Sequence, residues 1–252
     1  MKKTVAILLV ALITGGAFAA DVLVSLGTRE NDPNGALAIG ATGSGSGGTG
    51  IEWVNQDGVS LPLDGAWHQI TFTMATDPIT GFTGNGILDG VGGTLEHMRF
   101  KPNGFNGPIT LWFDDIADTI DPPGPVPPQT TTFGTFENDP NGNPYVAGTT
   151  VMFREPGFSG STAAFIDTAQ AHTSGVDDTV FHNGTRSLKV EWTWLNDPAA
   201  WLRLTTFNTP LQGNPIIRYN NSSVVTMWVR AIPEPSSLLL LGLGAFAALR
   251  RR

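Results

Sequence analysis

Apolar and polar residues alternate in short runs along the chain, and clusters of Gly, Pro, Asn and Asp separate one run from the next. The clearest case is residues 187–194, where Leu188, Val190, Trp192 and Trp194 fall on one face of an extended strand. No segment of useful length repeats its apolar residues with the period of a helix. The pattern therefore predicts an all-β fold, and its one-sided strands suit the walls of a β-sandwich.

Ten runs are apolar and β-branched enough to be predicted as strands. They cover residues 22–26, 51–54, 68–74, 95–101, 109–113, 149–153, 163–167, 187–194, 201–206 and 224–229.

The start of the chain has the features of a secretion signal. Two lysines precede an apolar stretch at residues 5–13, and the small residues Ala17 and Ala19 form a cleavage signature. We therefore predict a signal peptide over residues 1–19, cut after Ala19 or Ala20 by signal peptidase, and export across the inner membrane by the secretion machinery. An N-terminal anchor helix is the alternative, but the apolar run is short for one.

The end of the chain, residues 231–252, combines three features in order. These are the motif Pro233, Glu234 and Pro235, twelve apolar residues at 238–249, and the terminal cluster Arg250, Arg251 and Arg252. Twelve residues of helix reach about 18 Å, well short of the roughly 30 Å hydrocarbon core. The combination resembles the PEP-CTERM sorting signal. The resemblance implies processing by an exosortase-type membrane transpeptidase, transient tethering by a short hydrophobic helix, and delivery to the cell surface or extracellular matrix.

A proline-rich segment at residues 121–130 divides the body into residues 21–120 and residues 131–230. Such a run favours a semi-rigid, extended linker. The hexapeptide Glu-Asn-Asp-Pro-Asn-Gly starts at Glu30 in the first part and at Glu137 in the second. Its last four residues fit a type I turn, and the repeat leaves an internal duplication open.

Short motifs in both parts resemble the carbohydrate-binding-module-like, galactose-binding-like jelly rolls. Residues 136–137, 182–190 and 201–204 resemble the N-terminal half of those domains, whereas residues 67–72 and 112–116 resemble the C-terminal half. The resemblance implies one circularly permuted jelly-roll sandwich with the linker joining its former ends. Two separate small sandwiches are the alternative.

The same resemblance implies a structural Ca²⁺ ion. Its ligands would be Glu137 together with Asp114 or Asp115, and backbone carbonyls would complete the oxygen shell. The alternative is that these three carboxylates are solvated groups at strand ends. No other cofactor is predicted.

Charge and residue counts narrow the function classes. The formal net charge is −8, and between the two end segments nine basic residues stand against 21 acidic ones, which argues against a nucleic-acid partner. The absence of cysteine excludes disulfides and Cys nucleophiles. The four histidines lack a metal-ligand spacing, and adjacent carboxylates such as Asp114 and Asp115 point to opposite faces of a strand. We therefore expect no enzyme.

The expected function is that of an exported, surface- or matrix-associated, non-catalytic β-sandwich that binds extracellular polysaccharide. Of the seven Trp, we expect most to fill the core and one or two to offer a ring for sugar stacking, although the sequence does not choose which. A structural envelope or matrix protein without a specific ligand is one alternative. A glycoside hydrolase, with two carboxylates brought together from distant segments, is the other.

Overall fold

The computed structural model describes residues 20–30, 50–90, 92–121, 125, 127–206, 214–219 and 223–233. The predicted signal peptide over residues 1–19 lies outside these residues, as does the predicted sorting tail after Pro233. Within the described residues the regular structure is strands and one short 3₁₀ turn. The strands are β1 (Asp21–Glu30), β2 (Ile51–Pro62), β3 (Trp67–Thr73), β4 (Ile79–Gly81), β5 (Gly92–Asn103), β6 (Pro108–Ile120), β7 (Gln129–Gly134), β8 (Thr173–Asp177), β9 (Ser187–Thr193), β10 (Leu202–Thr205), β11 (Ile216–Arg218) and β12 (Val224–Pro233).

Two antiparallel sheets pack against each other, which confirms the predicted all-β sandwich. Sheet A has the order β10-β5-β1-β2-β4, and β11 also pairs with β5. Sheet B has the order β3-β12-β6-β9-β8, and β7 also pairs with β6.

Each sheet takes strands from both sides of the proline-rich segment. Sheet A joins β10 and β11 to four strands from the first half, and sheet B joins β3 and β6 to four strands from the second half. The two halves therefore share one sandwich and do not form two separate ones. Gln129 and Thr130, which the composition assigns to the linker, pair with Ile120 and Thr119 of β6. The proline-rich segment is thus the connection of a β6–β7 hairpin.

The core lies between the inner faces of the two sheets. The Phe100 ring of β5 contacts Phe113 of β6 and Trp192 of β9, with ring centroids 6.1 and 5.5 Å apart. Trp192 and Trp194 are both buried, as the alternation in residues 187–194 predicts. Truncating such an aromatic side chain to Ala costs about 3–5 kcal/mol. This contact between sheets therefore holds the sandwich together.

Two of the ten predicted strands are wrong. Residues 163–165 form a 3₁₀ turn, and residues 149–153 form no strand beyond a single bridge from Phe153 to Thr206. Val151 and Phe153 are nevertheless buried in the core. Their apolar character serves packing from an irregular segment, and periodicity alone does not separate that case from a strand. Four strands were missed, namely β4, β7, β8 and β11, because they are short or polar.

Both junctions with the predicted end segments lie at one corner of the sandwich. The Leu63 amide donates to the carbonyl of Ala20, next to the predicted signal-peptide cut, at 3.0 Å. Two residues further on, the Gly65 amide donates to the carbonyl of Ala231, where the predicted sorting tail begins, also at 3.0 Å. The β2–β3 connection therefore fixes both junctions beside each other.

Candidate functional site

The outward face of sheet A carries polar and aromatic side chains in place of a second apolar layer. In β5, Met98 and Phe100 belong to the core, so the alternating residues His97, Arg99 and Lys101 face outward. Trp53 of β2 lies on the same face. Gly27 of β1 pairs with Trp53 on one side and with His97 on the other, and residues paired across neighbouring strands share a face of the sheet.

A groove of about 280 Å³ opens on this face. Its lining combines the aromatic residues Trp53, Phe82 and Trp201, the cationic residues Arg99 and Lys101, and the small residues Thr80 and Gly81. This volume is near the lower end of the roughly 300–1,000 Å³ range of ligand pockets. The groove therefore fits a small unit, such as one residue of a longer polymer.

The three aromatic rings of the groove pack at steep angles to one another. Ring centroids are 5.5 Å apart for Trp53 and Phe82, 6.3 Å for Trp53 and Trp201, and 6.0 Å for Phe82 and Trp201. Trp53 is only 3% exposed, whereas Phe82 and Trp201 are half-buried. Trp53 therefore forms the base of the groove, and the other two rings offer accessible faces.

A glycine allows Trp53 to lie close to the sheet. A Cβ atom on Gly27 would come within 2.5 Å of the Trp53 ring and 3.1 Å of the His97 side chain. A larger residue at this position would push the Trp53 ring outward from the strands, because the packed side chains around it leave no room for a sideways shift. Gly27 thus sets the depth of the groove.

Phe82 is held by the turn after β4. Its amide donates to the carbonyl of Ile51 at 2.8 Å. The buried carboxylate of Glu52 accepts the amides of Asn85 and Gly86 at 2.8 and 3.0 Å. These bonds satisfy backbone donors that the irregular turn would otherwise leave unpaired. The turn therefore keeps the Phe82 ring at the groove's edge.

Arg99 is fixed by a bulge in β2. The β1–β2 register shifts between Val24 and Leu26, and Asn55 has a positive φ of 57° at this point. The bulge turns the Gln56 carbonyl toward the Arg99 guanidinium, which donates to it and, at 2.8 Å, to the Ser25 hydroxyl. The same guanidinium lies 5.0 Å from the centre of the Trp53 ring, a cation–π distance.

The groove is electropositive. Burial, with the neighbouring Arg99 charge as a smaller cause, lowers the pKa of Lys101, and burial also lowers the pKa of Arg99. Exposed Asp57 acts in the opposite direction on both groups. Neither cation forms an ion pair within the described part of the chain. A third cation, Arg203, lies 5.1 Å from the Phe82 ring centre.

His97 lies beneath this aromatic layer. It is 1% exposed, its ring centroid is 6.1 Å from that of Trp53, and neither ring nitrogen has a partner among the described residues. Burial, with the Arg203 charge as a smaller cause, lowers its pKa to about 3. The imidazole is therefore neutral at physiological pH.

The outward face of sheet B carries a second aromatic group, the His182 stack. The His182 ring lies parallel to Trp228 of β12, with centroids 4.0 Å apart at 14°, and meets Trp67 of β3 edge-on at 5.6 Å. The imidazole therefore covers one face of the Trp228 ring, where a ligand ring would otherwise stack.

The three predicted calcium ligands converge on one loop, residues 182–186, here called the clasp loop. Asp114 accepts the amides of His182 and Asn183 at 2.9 and 3.1 Å. Asp115 contacts the His182 ring nitrogen at 3.1 Å. Glu137 accepts the Thr185 and Arg186 amides at 2.7 and 2.9 Å, and its second oxygen accepts the Thr185 hydroxyl at 2.7 Å.

These contacts fit a hydrogen-bonded clasp better than a cation site. Ca²⁺ takes six to eight oxygen ligands, whereas the Asp114 and Glu137 oxygens already face N–H and O–H donors. The Arg186 guanidinium lies 3.4 Å from Glu137 and brings a competing positive charge. Across the described ranges, no group of three or more His, Asp or Glu side chains is placed to hold a metal ion. Calcium at these residues stays a prediction.

Burial of the clasp changes the pKa of its carboxylates in different ways. Burial raises the pKa of Asp114 to about 6, although three backbone amides act in the opposite direction. For Glu137 burial also acts upward, but the bonds from Thr185 and Arg186 together hold its pKa below the usual value. Glu137 is therefore stabilised as an anion, whereas Asp114 is not.

The comparison with known families identifies the end of the chain. Residues 231–252 match the family model of the PEP-CTERM protein-sorting motif. The chain carries a PEP-CTERM sorting motif. Its first residues, through Pro233, are the last residues of β12, and the motif residues Glu234, Pro235, Arg250, Arg251 and Arg252 lie outside the described residues.

The PEP-CTERM motif confirms the predicted export and sorting to the cell surface. It indicates an exported protein that is sorted to the cell surface, processed by exosortase and the secretion machinery, and tethered to the membrane by its C-terminal tail. In the part of the chain with described coordinates, no helix has the length and apolarity needed to cross a membrane. No match was found among the curated proteins or among the solved structures.

The sequence does not predict the individual residues of the groove. The sequence indicates that one or two Trp rings are exposed, and the structure leaves Trp67, Trp201 and Trp228 half-buried. Phe82 and Arg99 belong to no sequence motif that would predict a ligand site. The position of Trp53 opposite Gly27 could have been found only with the strand register in hand.

Proposed function

We propose that this chain is a surface-displayed, non-catalytic β-sandwich that binds extracellular polysaccharide in the groove on sheet A. The observation that carries the proposal is the meeting of Trp53, Phe82 and Trp201 around an open space of about 280 Å³. Aromatic faces pack well against the C–H faces of sugar rings, and nearby polar groups orient a ligand through hydrogen bonds.

The sorting motif supports this proposal from a second direction. The sorting motif indicates delivery to the cell surface, where an extracellular polymer can reach an open groove. The groove is open at the surface, so a chain that is much longer than the groove can place one unit inside it and continue on both sides. The proposed ligand is therefore a polymer.

The lining of the groove supports binding without catalysis. Hydrolysis of a glycoside uses two carboxyl groups about 5–10 Å apart on either side of the bond. Among the described residues that line the groove, none carries a carboxylate. A structural protein without a ligand is the remaining alternative, and the binding experiment below distinguishes it.

The jelly-roll topology and its permuted order belong to the same proposal. They are supported by the mixing of strands from both halves in each sheet and by the adjacency of Ala20 and Ala231. Chain ends that lie close together make permutation feasible. A chain with residues 131–230 placed before residues 21–120 should fold cooperatively, and a reordered chain that stays unfolded would contradict the proposal.

Titration of the exported protein with a panel of neutral and acidic extracellular polysaccharides tests the binding. We expect a saturable change in Trp fluorescence with at least one polymer. The variant Trp201→Ala removes an accessible ring of the groove and should weaken binding about tenfold or more, which corresponds to about 1.4 kcal/mol.

The matched control is Trp67→Ala on the opposite sheet. It also removes one half-buried Trp, but its contacts are with the His182 stack, so its affinity should equal that of the wild type. A flat titration of the folded protein with every polymer would leave only the structural role. Equal losses in both variants would rule out the groove as the site.

A further inference from the structure

We infer that the groove selects an acidic polysaccharide, one that carries carboxylate or sulfate groups along its chain. This inference rests on the proposed function and specifies its ligand. It follows from the way in which the few cations of the protein are distributed.

Cations are scarce in the body, with nine basic against 21 acidic residues. Three of them, Arg99, Lys101 and Arg203, lie in or beside the groove. Such clustering in an otherwise acidic protein produces a local positive potential that steers anions to one place and keeps them from the rest of the surface.

Three of the cations elsewhere are paired within the protein. Arg186 pairs with Glu137 at 3.4 Å, Lys189 with Glu191 at 2.6 Å, and Arg218 with the fully buried Asp118 at 2.9 Å. The three groove cations form no such pair within the described residues. Asp57 acts electrostatically on Arg99 and Lys101, and Glu96 acts on Arg203, but neither carboxylate comes within ion-pair distance of these cations, so an external anion can still pair with them.

Arg99 adds a second and independent observation. Its side chain is 8% exposed and lines the groove, and its Nε donor has no partner among the described residues. Desolvating a charged donor without a partner is costly, so an anion that reached the guanidinium would offset part of this cost. The planar guanidinium suits a carboxylate or sulfate oxygen, which can accept from it directly.

Lys101 completes the arrangement at the more exposed edge of the groove. Both Arg99 and Lys101 lie on β5 and face outward, two residues apart, so their Cα atoms lie about 7 Å apart along the strand. Burial and, as a smaller cause, the charge of Arg99 lower the pKa of Lys101, although Asp57 acts in the opposite direction. An anionic ligand would relieve this repulsion.

The test uses a pair of ligands that differ only in charge, oligogalacturonate and its fully methyl-esterified form of equal length. Calorimetric titration of the exported protein with each ligand measures the affinity. We expect oligogalacturonate to bind about tenfold or more tightly than the ester at low salt, with the difference shrinking as salt is added.

Lys101→Gln should weaken oligogalacturonate binding by roughly three- to tenfold without changing the thermal midpoint, since the side chain is half-exposed and makes no ion pair. Lys101→Arg keeps the charge and should bind as the wild type does. Lys189→Gln is the matched control, because it removes the same charge from the opposite sheet, and it should leave affinity unchanged.

Each other outcome has a defined meaning. Equal binding of acid and ester would overturn the acidic selectivity but leave polysaccharide binding intact, as would binding to neutral polymers alone. No binding to any polymer would overturn both proposals. Equal losses in Lys101→Gln and Lys189→Gln would show attraction by overall charge and overturn the groove as the selective site.

Discussion

The outward faces of the two sheets hold similar residues but differ in what covers them. On sheet A, Trp53, Phe82 and Trp201 surround an open groove. On sheet B, Trp67 and Trp228 have the His182 ring between them. The difference comes from a loop outside the strands, because the clasp loop places an imidazole where the groove has space. The presence of tryptophan on an outward face therefore does not by itself indicate a ligand site.

The same two faces differ in how their charges are compensated. On sheet B, Glu137, Asp115 and Glu191 each meet a basic side chain. On sheet A, Arg99 and Lys101 have no ion pair among the described residues. The carboxylates on sheet B are thus compensated within the protein, whereas the two cations that line the open groove on sheet A can pair with an external anion.

The largest expected contrast between the faces is the response to pH. His97 has a folded-state pKa of about 3, below its ordinary value of 6.5, so its contribution to stability is present above pH 6.5 and is lost as the pH falls toward 3. Asp114 has a folded-state pKa of about 6, above 3.8, so stability is lost as the pH rises from about 4 to 6. Each effect is on the order of 3 kcal/mol between pH 7 and 4.

Two single variants separate these opposing contributions. Relative to the wild type, His97→Leu should gain stability as the pH is lowered from 7 to 4, whereas Asp114→Asn should lose it. Urea unfolding at several pH values measures the free energy of unfolding. Variants whose pH profiles run parallel to that of the wild type would show that neither group has a shifted pKa.

The sequence predicts the inner faces of the sandwich better than the outer ones. The alternation in residues 187–194 places Leu188, Val190, Trp192 and Trp194 correctly in the core. Every second residue of a strand faces the core, so apolar residues alternate with polar ones and the buried face can be predicted from the sequence. The strand predicted at residues 163–167 is wrong, because residues 163–165 form a 3₁₀ turn, in which side chains do not alternate between two faces.

The groove could not be predicted because it depends on non-local geometry. A bulge at Asn55 brings the Gln56 carbonyl to Arg99, and a turn held by Glu52 brings Phe82 to Trp201. Neither a positive φ at Asn nor a buried Glu has a distinctive sequence signature. On sheet B, the jelly-roll resemblance predicts that Asp114, Asp115 and Glu137 lie near one another. In the structure all three contact the clasp loop.

The next largest effect is expected from breaking the clasp. Glu137→Ala leaves the Thr185 and Arg186 amides without their acceptor, and the free energy of unfolding should fall by about 2 kcal/mol. Asp139→Ala is the control, since this neighbour accepts only the amides of its own turn, from Asn141 and Asn143, and it should cost clearly less than Glu137→Ala. Equal losses in the two variants would show that the clasp loop is not anchored by Glu137.

Removing the His182 ring tests whether the clasp loop covers the tryptophans on the outward face of sheet B. His182→Ala removes the ring between Trp67 and Trp228 and should cost about 1 kcal/mol of ring-pair energy. Trp67 and Trp228 should become more accessible to acrylamide, so the quenching constant of the Trp fluorescence should rise. Polysaccharide affinity at the groove should stay unchanged. His68→Ala, which removes a half-buried ring paired with Asp64, should leave quenching as in the wild type. An unchanged quenching constant in His182→Ala would mean that another segment covers this face.

The smallest expected effect is that of calcium, and it decides between a clasp and a metal site. A metal that binds only the folded protein at 100 times its dissociation constant would stabilise it by about 2.7 kcal/mol and raise the thermal midpoint by several degrees. Because Asp114 and Glu137 are already supplied with hydrogen-bond donors, we expect the same midpoint with calcium and with chelator. A saturable increase that Glu137→Gln abolishes would instead place Ca²⁺ at the clasp. The donors on the loop would then have to turn away, because a carboxylate lone pair cannot serve an N–H group and a cation at once.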